Sequence, residues 1–344
     1  MKKFLLAICV CLAVVTLVSS AFAEELWDWH LRGVDEGLAS GMLPPAGLYF
    51  INDFYGLDNW HGYGPGFGAT GNGNANSSIH LSGWVDVPVM LWVPGNKFLG
   101  ATYAAAIAEP FDFTNLNIQT VNTGLPDGGN SFAGGRYTGA YNTVLVPFIL
   151  SWKLPSHFFV AASFAVGLND GSASPGDGQA GITRVSSHPN VLGRDGGLYA
   201  FPSNDFYTFT PDVGVTWLYH GWNLSAEFEY TFATIDGDTN YQSANEFAGD
   251  YSLSYTWGRW TFGLGAEDEQ QTGNDEFNAG TGYKTQANTL ATNVTAGPLV
   301  GYNFGPFSLM FIYNFPVTAN NDVGGSWWDA RIVIPLGNPN SWWQ

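Results

Sequence analysis

A chain of 344 residues carrying 29 acidic against 11 basic side chains, a formal charge of −18, makes a poor nucleic-acid partner. Its two cysteines, Cys9 and Cys11, fall at the very start, so disulfide frameworks and thiolate chemistry are excluded from everything after them. Mean hydropathy is near zero while aromatics reach 16% and glycines number 44, a balance that suits either a membrane β-barrel or a secreted β-sandwich.

In chain order, Lys2 and Lys3 precede an apolar run over residues 4–18 and the small-residue end Ala21-Phe22-Ala23. This reads as a secretory signal cleaved after Ala23, because the run falls short of the roughly 20 apolar residues that a spanning helix needs. Removing Lys2 and Lys3 shifts the formal charge from −18 to about −20. Residues 24–46 do not alternate; within them 34–42 has the pattern for one or two helical turns, stopped by Pro44 and Pro45. This N-terminal segment is expected either to hang in the periplasm or to enter a lumen as a plug through Leu38, Met42, Leu43, Pro44 and Pro45.

From there the period becomes two. Strands are expected over 47–57, 79–94, 97–113, 137–153, 156–169, 210–219, 222–234, 250–257, 260–267, 288–304, 307–317 and 327–336. The sixth and seventh form the sharpest pair. Trp222, Leu224, Ala226, Phe228, Tyr230 and Phe232 oppose Asn223, Ser225, Glu227, Glu229 and Thr231, and only His220-Gly221 separates them from the preceding arm.

Short connections at 94–96, 154–155, 220–221, 258–259 and 305–306 alternate with long polar stretches. Aromatics such as Trp92, Trp152, Trp222, Trp257 and Trp260 crowd the short ones. Short periplasmic turns, long external loops and an interfacial aromatic girdle describe an all-β, antiparallel transmembrane barrel of twelve strands in the outer membrane of a Gram-negative bacterium. The parts are the signal (1–23), the N-terminal segment (24–46), the barrel (47–336) and a C-terminal tail (337–344). A soluble sandwich has no reason to segregate loop length by end.

Chemistry is sparse. Six scattered histidines show no metal-ligand spacing, no G-x-S-x-G elbow occurs, and the glycine-rich stretch 62–73 lacks the Gly-Lys-Ser/Thr ending of a phosphate loop. No enzyme and no cofactor are expected. Asp236, Asp238 and Asn240 have the first spacings of a calcium loop without its Gly at six or Glu at twelve, leaving at most loose divalent binding. Alternation sends Asp86, Asp212, Glu227, Glu229, Glu267, Asp329 and Arg331 into the lumen, where charge escapes the lipid penalty. Arg331 is expected to reach Glu227 or Glu229 across the lumen and brace it, so losing either glutamate should cost barrel stability before transport.

Two stretches resemble a known family. Residues 37–50, GLASGMLPPAGLYF, are similar to the opening of the meta-pathway phenol degradation (SphA-like) family of exported proteins, and 329–336, DARIVIPL, resemble its closing strand. The resemblance implies an outer-membrane barrel that passes small hydrophobic or aromatic compounds inward, with the lipid bilayer, lipopolysaccharide, that solute and the barrel assembly machinery as partners. The sequence departs from it in the tail after the closing strand, where Trp342 and Trp343 stand in for a terminal aromatic. The alternatives are a surface structural or adhesive barrel whose acidic loops bind cations, and a soluble secreted sandwich.

Overall fold

Rows of period two bury only one face each, so they must close on themselves or pack on a second sheet; here they close. The computed structural model describes residues 31–63, 75–122, 130–171, 206–235, 241–273, 276–277 and 290–337. The signal, the trio Asp236, Asp238 and Asn240, and the tail with Trp342 and Trp343 lie outside the described residues. Among these residues twelve strands form a closed antiparallel barrel. They are β1 (Gly47–Tyr63), β2 (Ala75–Val93), β3 (Ala101–Ala108 continuing as Phe111–Asn122), β4 (Asn130–Ala140 continuing as Val144–Lys153), β5 (Phe158–Gly167) and β6 (Thr208–Tyr219). The second half is β7 (Trp222–Ala233), β8 (Glu246–Trp257), β9 (Trp260–Gln271), β10 (Thr292–Asn303), β11 (Ser308–Asn320) and β12 (Asp322–Gly337). Each strand pairs with its sequence neighbours, and β12 closes on β1 in a ladder running from Leu48↔Gly337 to Tyr63↔Asp322.

The expected β6–β7 hairpin is present, with Trp222↔Tyr219 as its first pair. His220 (φ 48°) and Gly221 (φ 88°) both take the left-handed conformations that a two-residue turn needs to match strand twist. Trp92, Phe98, Trp222, Trp257 and Trp260 are exposed beside the short turns, as an interfacial girdle requires. The expected turn at 94–96 is more elaborate, since the pair Lys97–Phe98 folds back on Ala101–Thr102 before β3 proper.

Two expected loops are strand instead. The upper part of β3 pairs with β4 from Phe111↔Ala140 to Val121↔Asn130, extending the wall over 115–121 and 130–136. Both strands break at one level, at Glu109-Pro110 and at 141–143; there Glu109 N–H donates to Pro88 O at 3.1 Å and Tyr141 N–H to Pro110 O at 2.7 Å. At the other end of the chain, β11 and β12 are joined by Asn321 alone (φ 54°). Their ladder nevertheless stops at Asn314↔Trp327; beyond it β11 stays with β10 as far as Asn320, while β12 follows β1.

Candidate functional site

Residues 31–46 occupy the lumen. Where one or two helical turns were expected, their backbone makes successive i→i+3 turns (Val34 N–H to Leu31 O 3.0 Å, Glu36 N–H to Gly33 O 3.0 Å, Leu38 N–H to Asp35 O 3.2 Å). Gly33 (φ 71°) and Gly37 (φ 78°) reverse the chain's handedness where a helix would have to continue. The segment's main-chain groups bond to side chains of the wall. Asp250 of β8 accepts from Gly33 N–H (3.1 Å) and Asp35 N–H (2.8 Å), and Thr216 of β6 accepts from Gly41 N–H (2.8 Å). Ser151 of β4 donates to Gly41 O (2.7 Å) and Asn223 of β7 to Leu38 O (3.2 Å). The wall is cut to fit. A Cβ at Gly265 of β9 would overlap the Glu36 carboxyl, and one at Gly214 of β6 would overlap the Ser40 carbonyl.

Two buried arginines pin the segment from opposite directions. Arg32, 2% exposed, reaches outward from it, pairing with Glu269 of β9 and Asp322 of β12 (2.8 Å), donating to Val323 O (3.0 Å) and lying 4.9 Å from the Trp60 ring centroid. Arg331, 1% exposed, reaches inward from β12, donating to Glu36 O (2.7 Å) and Val34 O. Its charge is met by Asp53 on β1 and by Asp329 (3.2 Å). The expected cross-lumen pair with Glu227 or Glu229 is therefore replaced by a pair across the β12–β1 closure, where Asp53 and Arg331 are direct ladder partners. A neighbour one strand away is reached without stretching a side chain across an occupied lumen.

Glu36 is fully buried. Asn314 of β11 donates to its Oε1 at 2.5 Å, while Oε2 has no hydrogen-bond partner among the described residues. Burial first, then the Asp250 carboxylate, pushes this carboxyl up to about 9. Asp35 meets Glu227 and Glu229 of β7, with carboxylate oxygens of the three within 4.8 Å of one another.

The other sequence-derived positions divide clearly. Asp212 is inward and accepts from Ser163; Glu267 is inward and accepts from Thr295 at 3.0 Å; Asp329 is inward and 1% exposed. Asp86 is the exception. It lies level with Phe54 and takes a bond from Asn52 on the barrel's outer face (2.7 Å), because the inward row of β2 is the apolar one containing Val87, Leu91 and Val93. Of the segment, Leu43 packs on Leu91, Val93 and Ala104, and Pro45 O accepts from Tyr49 (2.7 Å). Leu38 and Met42 are half-buried. Arg32, Glu36, Asp53, Asp250, Glu269 and Asp322 were not anticipated. Asp250 follows from alternation within the expected strand and Glu269 once β9 is extended past 267, whereas the roles of Arg32 and Glu36 depend on the segment's path.

The lumen thus has two characters. Carboxylates and hydroxyls gather around β6–β9, while two apolar patches interrupt them: Tyr49, Ile51, Leu91, Val93 and Ala104 on β1–β3, with Leu43 of the segment laid against them, and Tyr55, Leu299, Ile312 and Trp327 on β1 and β10–β12.

A sequence profile of the family described as "Putative MetA-pathway of phenol degradation" matches residues 192–326, in agreement with the resemblance carried by 37–50 and 329–336. No curated protein sequence matches the chain. Among solved structures, an outer membrane channel of Pseudomonas putida is similar at a TM-score of 0.61 and 12% identity, over 88% of this chain and 99% of that one. The transport unit of the autotransporter AIDA-I of Escherichia coli (TM-score 0.42, 8% identity, 84% of this chain and 90% of that one) is more distant. So is a toluene transporter of Ralstonia pickettii (TM-score 0.40, 12% identity, 85% and 90%). The first likeness establishes the fold of an outer-membrane channel; the other two carry no argument.

Proposed function

We propose that the protein is a passive outer-membrane channel for small hydrophobic or aromatic compounds, with residues 31–46 as its plug. The observation that carries this reading is the apolar inward patch formed by Tyr49 and Ile51 on β1, Leu91 and Val93 on β2 and Ala104 on β3. A water-filled pore lines its interior with polar groups, and leaving apolar side chains in water there is unfavourable by about 25 cal/mol per Å². Here the wall is covered by Leu43, a residue of the segment that occupies the lumen. An apolar solute replaces that contact when the segment withdraws, while the carboxylates opposite disfavour anions. No covalent chemistry enters this reading.

The test is uptake into vesicles reconstituted with the full chain, comparing toluene with a disaccharide of similar diffusion rate. Faster toluene entry than in protein-free vesicles, corrected for its passage through lipid, is expected; equal rates for the two solutes, or no effect of the protein, would sink the substrate reading. Leu91→Asp, which places a charge in the apolar wall, should lower toluene entry without reducing small-ion conductance.

A further inference from the structure

The lumen segment is acidic and sits among acids. Asp35 lies within 4.8 Å of Glu227 and Glu229, and Glu36 is fully buried. The groups facing Glu36 come from every element packed around it. They are Asp250 on β8, Glu267 following Gly265 along the inward row of β9, Asn314 on β11, Asp329 and Arg331 on β12, Tyr55 on β1, and Asp35 beside it in the chain. The cation in this set acts on the carboxyl through its charge but gives it no hydrogen bond. Arg331 gives Nη1 to the Glu36 main-chain carbonyl and otherwise pairs with Asp53 and Asp329. Glu36 Oε2, pressed on the bare Cα of Gly265, has no donor among the described residues. An ionised carboxylate in that position would face acids on three strands with one of its oxygens lacking a hydrogen-bond donor, which is among the least favourable arrangements a charge can have.

From this geometry we infer that Glu36 is a proton latch: the segment seats in the lumen with Glu36 neutral and leaves it when Glu36 ionises. The inference deepens the channel reading, in that it names what controls the occupant of that channel.

The sign follows from linkage. The seated carboxyl lies above its ordinary value of 4.5, near 9, so the protonated form is the one that fits. Seating is fully favourable below the ordinary value and weakens as pH rises, by about tenfold per pH unit for one proton, until the seated value is passed.

The test is amide hydrogen exchange on the full chain in lipid vesicles between pH 6 and 8, corrected for intrinsic base catalysis. It reads the Gly33, Asp35 and Gly41 amides that bond to the wall. Protection of these amides in the wild type should fall with pH more steeply than in Glu36→Gln, by about one decade per pH unit. Equal slopes in the two proteins, or flat protection in both, overturn the latch. Gly265→Ala, which fills the space of the carboxyl, should lower the same protection at pH 6 while the β9 amides stay protected; unchanged protection there would overturn the seating geometry. Heat-modifiable gel mobility confirms that each variant is a folded barrel. Exchange reads seating and the toluene assay reads flux, so either conclusion can fail without the other.

Discussion

Arg331→Met is the most demanding test of how the lumen is held together. The side chain is 1% exposed, and its removal strips Asp53 and Asp329 of their shared cation and the Val34 and Glu36 carbonyls of their donor. Breaking a buried ion pair from one side typically costs about 3–5 kcal/mol, since the abandoned charge stays buried. The two carbonyl bonds lie in the same network, so we place the total at about 4–5 kcal/mol rather than a full sum. Asp53→Asn should lose less, about 1–2 kcal/mol, because Arg331 keeps Asp329 and both carbonyls. The assay is the guanidinium midpoint of folded, heat-modifiable protein in detergent at pH 7, converted through the common slope. The double variant should lose less than the two singles combined, because both disrupt one interaction. A loss of under about 1 kcal/mol for Arg331→Met, or a larger loss for Asp53→Asn, would refute the assignment of Arg331 as the closure and segment anchor.

Three further outcomes follow from named contacts. Gly214→Ala brings a Cβ onto the Ser40 carbonyl, and overpacking of this kind, about 1–3 kcal/mol, should cut protection of the Gly41 amide by about tenfold or more while leaving the β6 ladder intact. Glu229→Gln relieves the crowding with Asp35 and Glu227 and should raise the guanidinium midpoint by the equivalent of about 1 kcal/mol; a lowered midpoint would mean that the three carboxylates hold a cation the substitution removes. Asn52→Leu takes away the donor that serves Asp86 on the outer face and should lower stability by about 1–3 kcal/mol, whereas Asp86→Val should be near neutral in the same measurement.

The β6–β7 hairpin was legible because its rows never mix, and a two-residue His-Gly link permits only one register. The upper reach of β3 and β4 was not. Its period-two signal is confined to Leu116 and Ile118 between Asn115, Asn117 and Gln119, a run too short to separate a solvated strand from a loop until a partner is known. Asp86 was misplaced by a rule that is sound for a water-filled barrel, charge inward and apolar outward. That rule fails on β2 because the segment ahead of β1 turns the inner face there into a small core. Arg331 reaches inward from β12, and its partner depends on the β12–β1 register, which joins residues 278 positions apart. For Glu227 and Glu229 the expected sign is reversed. They meet another acid of the segment instead of Arg331, so neutralising one should help rather than harm.

Among the described residues, no main-chain to main-chain bond joins residues 31–46 to a strand; the segment's own backbone bonds are its turns. The barrel is zipped by backbone ladders between neighbouring strands that must open cooperatively, on the slow scale of global unfolding. The segment is fastened only by side chains, each of which can let go without parting a strand. Its arrivals and departures therefore belong to the microsecond-to-second regime of local opening. One molecule thus keeps two clocks, and the slow one does not set the fast.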